Sequence, residues 1–530
     1  MLSSRFNMSI YFANYIDCML HFDESVEIAK NTILAGVKKV ELYDPDVPNS
    51  FDLGGNFYLT EDDVNGTAGR AAICHPRLAE LNPYVDVTVS SATDFSLDSV
   101  LTAAKGHTCV VVTVPLKTEL LAQLNEQIRK DGGKFIYCLT LGLFGQVFCD
   151  FGDKFVVNDR NGEQPLNGLL EAIVVEELSE GKLGLACKVL EDQGRHGLES
   201  GDVVKFSKVK HEKLADKDFP IKVTGPFTFT VDLDLHLPKD SVVATQGYYT
   251  EVKQPTEMSH RSLMSVISEP GEDLMMTDFA KFDMPQKLHS AFGAVRAFVD
   301  DNGGLPLSED DVAKVKTNEG DDLDLFKKMF SGARAVLSPM CAFIGGVAGQ
   351  ECLKALSKKF TPIKGFMYID AIECLPDELP KTEGAVNLSP RYDSQSLIFG
   401  PELTERLTKL NYFLVGAGAI GCEMLKNWAL MGVGCNPTAT ITITDMDRIE
   451  KSNLSRQFLF RNKDIGEFKS TSAGKAAQAI NPSMNIVAHQ LKLDKTTTAT
   501  FSDEFYSGLS GVCTALDNVE ARLVSNPYIY

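Results

Sequence analysis

The sequence lacks long hydrophobic runs, Cys-x-x-Cys pairs and an excess of basic residues. A membrane-spanning helix needs about 20 consecutive apolar residues, so none is expected. The 12 cysteines are scattered with no Cys-x-x-Cys pair, and no two of the 9 histidines are closely spaced. This spacing argues against zinc fingers and a dense disulfide framework, and it indicates a reducing compartment. Residues 1–24 have no basic flank followed by an apolar core, so they do not predict a signal peptide.

Acidic residues outnumber basic ones, with 72 aspartates and glutamates against 52 lysines and arginines and a formal net charge of -20. A surface that binds nucleic acid or an acidic membrane is net basic, so neither partner is expected. The balance favours a basic partner surface. At 530 residues the chain is too long for one compact core, and we expect three or four domains.

An internal repeat is the strongest signal. Residues 27–37 and 423–433 share Glu, Lys, Asn, Leu, Gly and Val at a single offset, and the likeness continues through the following strand and loop. The matching positions beyond the first helix are Asp44 with Asp445, Leu53 with Leu454, Phe57 with Phe458, and Asn82-Pro83 with Asn481-Pro482. A chance likeness of two amphipathic helices is the alternative. The sequence predicts two copies of one α/β unit.

Each copy is predicted to be a doubly wound, Rossmann-like parallel sheet. In the second copy, strands are predicted at 412–415, 439–444, 485–489 and 511–516, with a helix at 422–431 after the first of them. Strands that alternate with helices imply βαβ crossovers. Between the copies, 173–252 predicts a small all-β module and 258–334 a helical region, whereas a strand at 365–369 is expected to rejoin the first sheet.

Residues 416–421 form a GxGxxG turn between a predicted strand and helix. Gly416, Gly418 and Gly421 allow a tight turn and close approach of the backbone, and the helix N-terminus offers N–H groups to phosphate. Asp445 ends the next strand, where it can bond a ribose hydroxyl. The motif alone indicates a nucleotide, with NAD as the default and a ligand-free turn as the other interpretation.

Polar residues that follow this motif favour ATP over NAD. They are Asn453, Arg456, Gln457 and Lys469, together with Asp517 and Asn518 at the end of the last predicted strand. Cleavage of a triphosphate needs cations on its oxygens and a carboxylate for Mg²⁺, whereas hydride transfer needs neither. Taken singly, each could be a surface residue. The first copy has Gly55 opposite Arg456 and no glycine motif, which suggests one working site and one scaffold copy.

At these residues the sequence closely resembles the eukaryotic ubiquitin-activating enzymes. The resemblance covers residues 25–522 and rests on the segments 416–423, 444–461 and 515–519, and also on 195–202, 277–282 and 368–376. It implies an inactive adenylation half at 1–172, with 1–24 atypical, and its return segment at 336–378. A first catalytic-cysteine half-domain at 173–255, a four-helix bundle at 256–335 and the first part of the active adenylation half at 379–530 complete the implied organisation.

The resemblance implies ATP-dependent adenylation of the C-terminal glycine of ubiquitin, with transfer to a catalytic cysteine and then to a conjugating enzyme. Arg456, Lys469 and Asp517 are the implied catalytic residues. Gly416, Gly418, Ala419 and Gly421 would line the nucleotide, and Asp445 would hold the ribose. Asn453, Arg456, Gln457 and Lys469 would contact phosphates, Asp517 would bind Mg²⁺, and Asn518 would lie near the adenine.

The family further implies a monomer with an internal pseudo-dimer, located in cytoplasm and nucleus. Residues 1–24 and 523–530 depart from the family pattern, and no cysteine lies in the family's Cys-Thr-Leu context. The chain is therefore expected to be a fragment without the thioester-forming domain, and Cys422 is expected to be a packing residue. A non-catalytic scaffold that binds ubiquitin and nucleotide is one alternative function, and an NAD-dependent oxidoreductase is another.

Overall fold

The computed structural model describes residues 17–18, 23–91, 94–179, 181–306, 311, 314–315, 322–375 and 390–516. The chain divides into a larger unit, formed by 1–153, 259–357 and 362–530, and a smaller unit, formed by 154–258 and 358–361. No helix in these described ranges is long and apolar enough to cross a membrane.

The described strands follow in chain order. They are β1 (Asp17–Cys18), β2 (Lys39–Leu42), β3 (Asp86–Val89), β4 (Cys109–Val112), β5 (Lys134–Leu141), β6 (Phe144–Asp150), β7 (Phe155–Val157), β8 (Asn167–Ser179), β9 (Lys182–Val189), β10 (Val203–Ser207), β11 (Asp218–Gly225), β12 (Thr228–Val231), β13 (Val242–Ala244), β14 (Gly247–Glu251), β15 (Thr256–Met258), β16 (Leu274–Met275), β17 (Gly365–Asp370), β18 (Tyr412–Val415), β19 (Ile441–Thr444), β20 (Ile486–His489) and β21 (Gly511–Thr514).

The described α-helices are numbered in the same way. They are α1 (Asp23–Ala35), α2 (Glu61–Val64), α3 (Arg70–Ala79), α4 (Leu97–Ala104), α5 (Thr118–Lys130), α6 (Leu263–Ser268), α7 (Met284–Asn302), α8 (Leu323–Ser331), α9 (Ser338–Ser357), α10 (Asp393–Thr408, kinked at Gly400), α11 (Ala419–Met431), α12 (Lys469–Ile480) and α13 (Asp503–Ser507).

The first sheet of the larger unit has eight strands in the order β16-β17-β6-β5-β4-β1-β2-β3. The pairs from β5 through β3 are parallel, whereas β6 pairs antiparallel with β5 and β17. Every residue of β4 is buried, as expected for a parallel strand covered on both faces. The strand predicted at 365–369 forms β17 and lies in this sheet. Helix α9 packs against α1 and beneath β5 and β6.

The second sheet of the larger unit has the order β20-β19-β18-β21, and all three pairs are parallel. Its first strand, β18, matches the prediction, whereas β19 and β20 begin later than predicted and β21 ends earlier. Helix α11 begins at Ala419, before the predicted start at Cys422. Glycine has a low helix propensity, so the sequence around Gly421 did not predict that the first turn is helical.

The smaller unit is built around antiparallel strands. Its sheet has the order β13-β8-β14-β10-β11-β12-β9, and β9 also pairs with β8. This extra pairing closes six of the strands into a barrel around buried residues such as Val204, Phe206 and Phe229. The barrel begins at Asn167, before the predicted module start at residue 173.

The region at 256–335 contains α6, α7 and α8 in its described part.

Candidate functional site

The GxGxxG segment forms a tight turn between β18 and α11. Gly416 has a φ of +99°, and a Cβ atom there would lie 2.5 Å from the carbonyl oxygen of Ala515. A Cβ atom on Gly421 would lie 2.2 Å from the carbonyl oxygen of Gly416. Neither position can hold a larger residue without moving the backbone. The turn thus brings the first residues of α11 close to the ends of two strands.

The turn lies at the point where the strand order of the second sheet reverses. The chain runs outward through β18, β19 and β20, and then returns to the other side of β18 as β21. The N–H of Gly416 donates to Thr444 at 2.9 Å, and the N–H of Ala515 donates to Val415 at 2.8 Å. Ligands of open parallel sheets bind at this position, beyond the carboxyl ends of the strands.

Asp445 follows β19 directly and points at the glycine turn. Its Oδ2 accepts the N–H of Ala417 at 2.7 Å, and its Oδ1 accepts the N–H of Asp447 at 2.8 Å. Burial raises the pKa of Asp445 above its ordinary value, although the two N–H donors and Lys469 partly oppose that shift. The carboxylate is therefore held in place by the backbone and is still short of stabilising donors, a property suited to accepting ligand hydroxyls.

The side chain of Gln457 lies beside Gly418 in the turn. It is 3% exposed, and its Nε2 lies 3.9 Å from where a Cβ atom of Gly418 would stand. Its Oε1 has no hydrogen-bond partner among the described residues. A buried, unpaired amide oxygen is costly, whereas the Nε2 atom beside the turn is a donor for an anionic ligand. This amide donor beside a glycine cradle fits a nucleotide.

Asn453 supports the loop that carries Gln457. It lies in a short 3-10 helix, Lys451–Ser455, and is buried. Its Oδ1 accepts the N–H of Glu450 at 3.0 Å, and its carbonyl accepts the N–H of Gln457 at 2.9 Å. These contacts fix the loop, and they use the amide oxygen of Asn453 within the protein.

The two predicted cations differ in their surroundings. Lys469 is the first residue of α12, its side chain is 11% exposed, and its Nζ lies 2.8 Å from Asp447. Arg456 is exposed, and its Nη1 donates to the carbonyl of Ser452 at 3.1 Å. Within the described part of the chain, Arg456 makes no ion pair with a carboxylate. The structure thus brings Lys469 to Asp445 and its neighbour Asp447, whereas Arg456 lies at the surface of the same loop.

Two predicted residues, Asp517 and Asn518, lie outside the described residues, which end in this region at Leu516. Among the described residues there is no cluster of His, Cys, Asp and Glu that could hold a metal ion. Cys422, predicted to be a packing residue, is buried in α11, and burial raises the pKa of its thiol to about 12. It is therefore not an activated nucleophile.

Comparisons with known proteins identify the relatives of the chain. Residues 392–530 match the ThiF family, 254–317 the ubiquitin-activating enzyme E1 four-helix bundle, and 186–253 the ubiquitin-activating enzyme E1 FCCH domain. The chain is 41% identical over 520 residues to ubiquitin-like modifier-activating enzyme 1 of Homo sapiens, covering 94% of this chain and 47% of that protein. Over this length the chain is similar to the ubiquitin-activating enzymes.

Other relatives match the chain with similar identity and coverage. Ubiquitin-activating enzyme E1 1 of Schizosaccharomyces pombe is 40% identical over 94% of the chain and 49% of that protein. The protein of the same name from Arabidopsis thaliana is 40% identical, with 94% and 46% covered. The chain spans about half the length of the curated relatives it matches. A solved structure of E. coli tRNA N6-threonylcarbamoyladenosine dehydratase also matches, with 22% sequence identity and a TM-score of 0.24. The match covers 26% of this chain and 54% of the dehydratase chain.

The resemblance predicted from the sequence is confirmed by these relatives. The α/β content and the match to the ThiF family agree with the predicted Rossmann-like fold class. Two partnerships escaped the sequence analysis. One is the ion pair of Lys469 with Asp447, which stands two residues after Asp445 in the segment 444–461. The other is a network of lysines and glutamates between α1 and α11, at positions that match in the repeat.

Proposed function

We propose that the parallel part of the first sheet and the second sheet of the larger unit are copies of one unit. Support comes from their strand orders, because β3-β2-β1-β4 and β20-β19-β18-β21 follow the same path through the sheet. One side-chain hydrogen bond also occurs in both copies. Asn82 donates to the carbonyl of Ile33 at 3.0 Å in the first copy, and Asn481 donates to the carbonyl of Ala429 at 2.7 Å in the second. The all-β module at 173–255 and the helical region at 256–335 would be insertions between 1–172 and 336–378, and the second copy would begin at 379.

We propose that the second copy binds ATP. The observation that carries this proposal is Gln457, a buried side chain whose Oε1 is unpaired among the described residues and whose Nε2 lies beside a turn that only glycine can form. Gly416, Gly418, Ala419 and Gly421 would line the nucleotide, and Asp445 would accept ribose hydroxyls. Asn453, Arg456, Gln457 and Lys469 would lie along the phosphates, with Asp517 holding Mg²⁺ and Asn518 near the adenine.

We further propose that the complete protein activates ubiquitin, the first step of ubiquitin conjugation. An oxygen of the C-terminal carboxylate of ubiquitin would attack the α-phosphorus of ATP, and the bond from that phosphorus to the β-phosphate oxygen would break, releasing pyrophosphate. The attack brings two anions together. The cations Arg456 and Lys469 would lower the repulsion between them, which is the main electrostatic demand of such a step.

Conjugating enzymes would be the later partners of the complete protein, in the cytoplasm and nucleus, with the protein acting as a monomer that contains an internal pseudo-dimer. A scaffold that binds ubiquitin and ATP without turnover is the alternative function. Pyrophosphate exchange separates the two functions, because a scaffold would bind ATP and ubiquitin without exchange.

The test combines binding and exchange. Calorimetry with ATP and with NAD on this chain separates a nucleotide-activating site from a dehydrogenase site, and tight NAD binding without ATP binding would refute the proposal. In the complete protein, Arg456→Ala is expected to lower ubiquitin-dependent ATP–pyrophosphate exchange about 100-fold or more. Arg406→Ala changes an exposed arginine of α10 and serves as the control, which should keep normal exchange.

A further inference from the structure

Four charged side chains meet at the contact between α1 and α11. Glu27 and Lys30 come from α1, and Glu423 and Lys426 come from α11. Lys30 lies 2.7 Å from Glu27 and 2.5 Å from Glu423, whereas Lys426 lies 2.9 Å from Glu423 and also bonds Glu27. Each lysine therefore contacts both glutamates. We call this closed set the charged ring.

The charged ring is almost free of solvent. The side chains of Glu27, Lys30 and Lys426 are 1%, 2% and 0% exposed, and only Glu423 is partly exposed, at 37%. Burial would raise the pKa of Glu27, but Lys30 and Lys426 lower it below its ordinary value. Burial would likewise lower the pKa of Lys426, but the two glutamates raise it. Glu27 and Lys426 thus keep their charges because of their partners in the ring.

Aromatic rings complete the contact. The Nζ of Lys30 lies 4.6 Å from the ring centre of Phe458, and the Nζ of Lys426 lies 5.4 Å from that of Phe57. The centres of these two rings are 5.4 Å apart. Phe458 directly follows Gln457, the residue beside the glycine turn. The contact therefore holds the loop of Gln457 as well as the helix of Glu423.

The position of Glu423 ties the charged ring to the nucleotide turn. Glu423 stands two residues after Gly421 in α11, so a rigid helix transmits any displacement of Glu423 to the turn. On the other side, Phe458 ties the ring to Gln457. Glu423 and Phe458 in this way connect both walls of the proposed nucleotide site to α1, although none of the residues proposed to contact the nucleotide belongs to α1.

We propose that Glu27 and Lys30 are positioning residues, which hold the glycine turn and Gln457 in the geometry that binds ATP. This inference rests on the proposed function of the site. Because the ring is buried and closed, α1 fixes the start of α11 more firmly than apolar contacts alone would, since ionic partners also dictate direction. The first copy would then stabilise the nucleotide site of the second copy through the contact between α1 and α11.

The test uses two variants of the full chain. Lys30→Met keeps the apolar stem but leaves an excess negative charge in the ring, so it should lower thermal stability and weaken ATP binding. Lys30→Met combined with Glu423→Gln removes one charge of each sign and leaves the Glu27–Lys426 pair intact, although the tie between Lys30 and Glu423 is gone. Calorimetry gives the Kd for ATP, and circular dichroism gives the melting temperature.

If the charged ring positions the turn, the double variant recovers most of the lost thermal stability while its Kd for ATP stays about 10-fold or more above that of the unmodified chain. An ATP affinity within about 2-fold of the unmodified chain, in either folded variant, overturns the inference. Lys188→Met combined with Glu171→Gln removes an exposed pair whose atoms lie 2.9 Å apart in the smaller unit, and it should change neither quantity. Failure of the unmodified chain to bind ATP refutes the proposed function instead.

Discussion

Arg70 offers a sharp test of how the first sheet is stabilised. It is the first residue of α3, and its side chain is 5% exposed. Its Nε lies 2.8 Å from Asp44, and its Nη1 lies 2.8 Å from Asp52, which is fully buried. Burial alone would lower the pKa of Arg70, but these two carboxylates raise it above its ordinary value. The guanidinium is therefore the shared counter-ion of two buried anions.

Arg70→Met keeps the stem of the side chain and leaves both carboxylates without this cation. Removing one partner of a buried ion pair costs about 3–5 kcal/mol. For a cooperative unit of about 150–250 residues, each kcal/mol lowers the melting temperature by about 2–4 °C. We therefore expect the melting temperature, followed by circular dichroism, to fall by about 6 °C or more.

The double variant Arg70→Met with Asp52→Asn tests the electrostatic reason for that fall. An amide at position 52 carries no charge, so part of the lost stability should return. An equal or larger fall in the double variant would contradict the argument, and so would a change of less than about 2 °C in Arg70→Met. The exposed Lys188→Met is the control and should leave the melting temperature unchanged.

Three further predictions concern the second sheet. Gly421→Ala places a methyl group 2.2 Å from a backbone oxygen of its own turn and should abolish ATP binding in calorimetry, whereas Gly346→Ala, with open space around its Cβ, should not. Burial raises the pKa of Asp445, so the unmodified chain loses stability as the pH rises from the ordinary pKa of about 4 towards the raised one. Asp445→Asn should weaken ATP binding, and over that pH range the difference between its melting temperature and that of the unmodified chain should change in favour of the variant. Iodoacetamide should modify exposed Cys374 in the folded chain and spare Cys422 until unfolding, as read by peptide mass spectrometry.

Local sequence signals predicted those parts of the second sheet that depend on short segments. Strand β18 was predicted at its observed bounds because an apolar run ends directly at a glycine turn. Asp445 was predicted from its place at the end of the next strand. The predicted start of α11 was wrong by one turn, because a glycine at position 421 obscures the helical periodicity of the sequence. The same glycine is needed there because its lack of a side chain lets the turn close.

Partnerships across the fold could not be predicted in the same way. The pairing of Lys469 with Asp447 depends on how the loop between β19 and α12 folds back on itself. The charged ring depends on how α1 packs against α11, and neither helix shows that packing by itself. The repeat matched Glu27 with Glu423 and Lys30 with Lys426, but a match in sequence does not say that the matched residues touch.

The contrast between Asp44 and Asp445 gives a physical reason why one half would bind a ligand and the other would not. Asp44 lies two residues after β2, much as Asp445 directly follows β19, and it is paired with Arg70 at 2.8 Å. Asp445 instead receives two backbone N–H groups, and its pKa stays raised. A carboxylate already paired with a buried guanidinium gains little from ligand hydroxyls, whereas one without a paired cation gains more. In the first copy, which also lacks the glycine motif, a cation at the start of α3 would thus occupy this carboxylate without any change in the fold of the sheet.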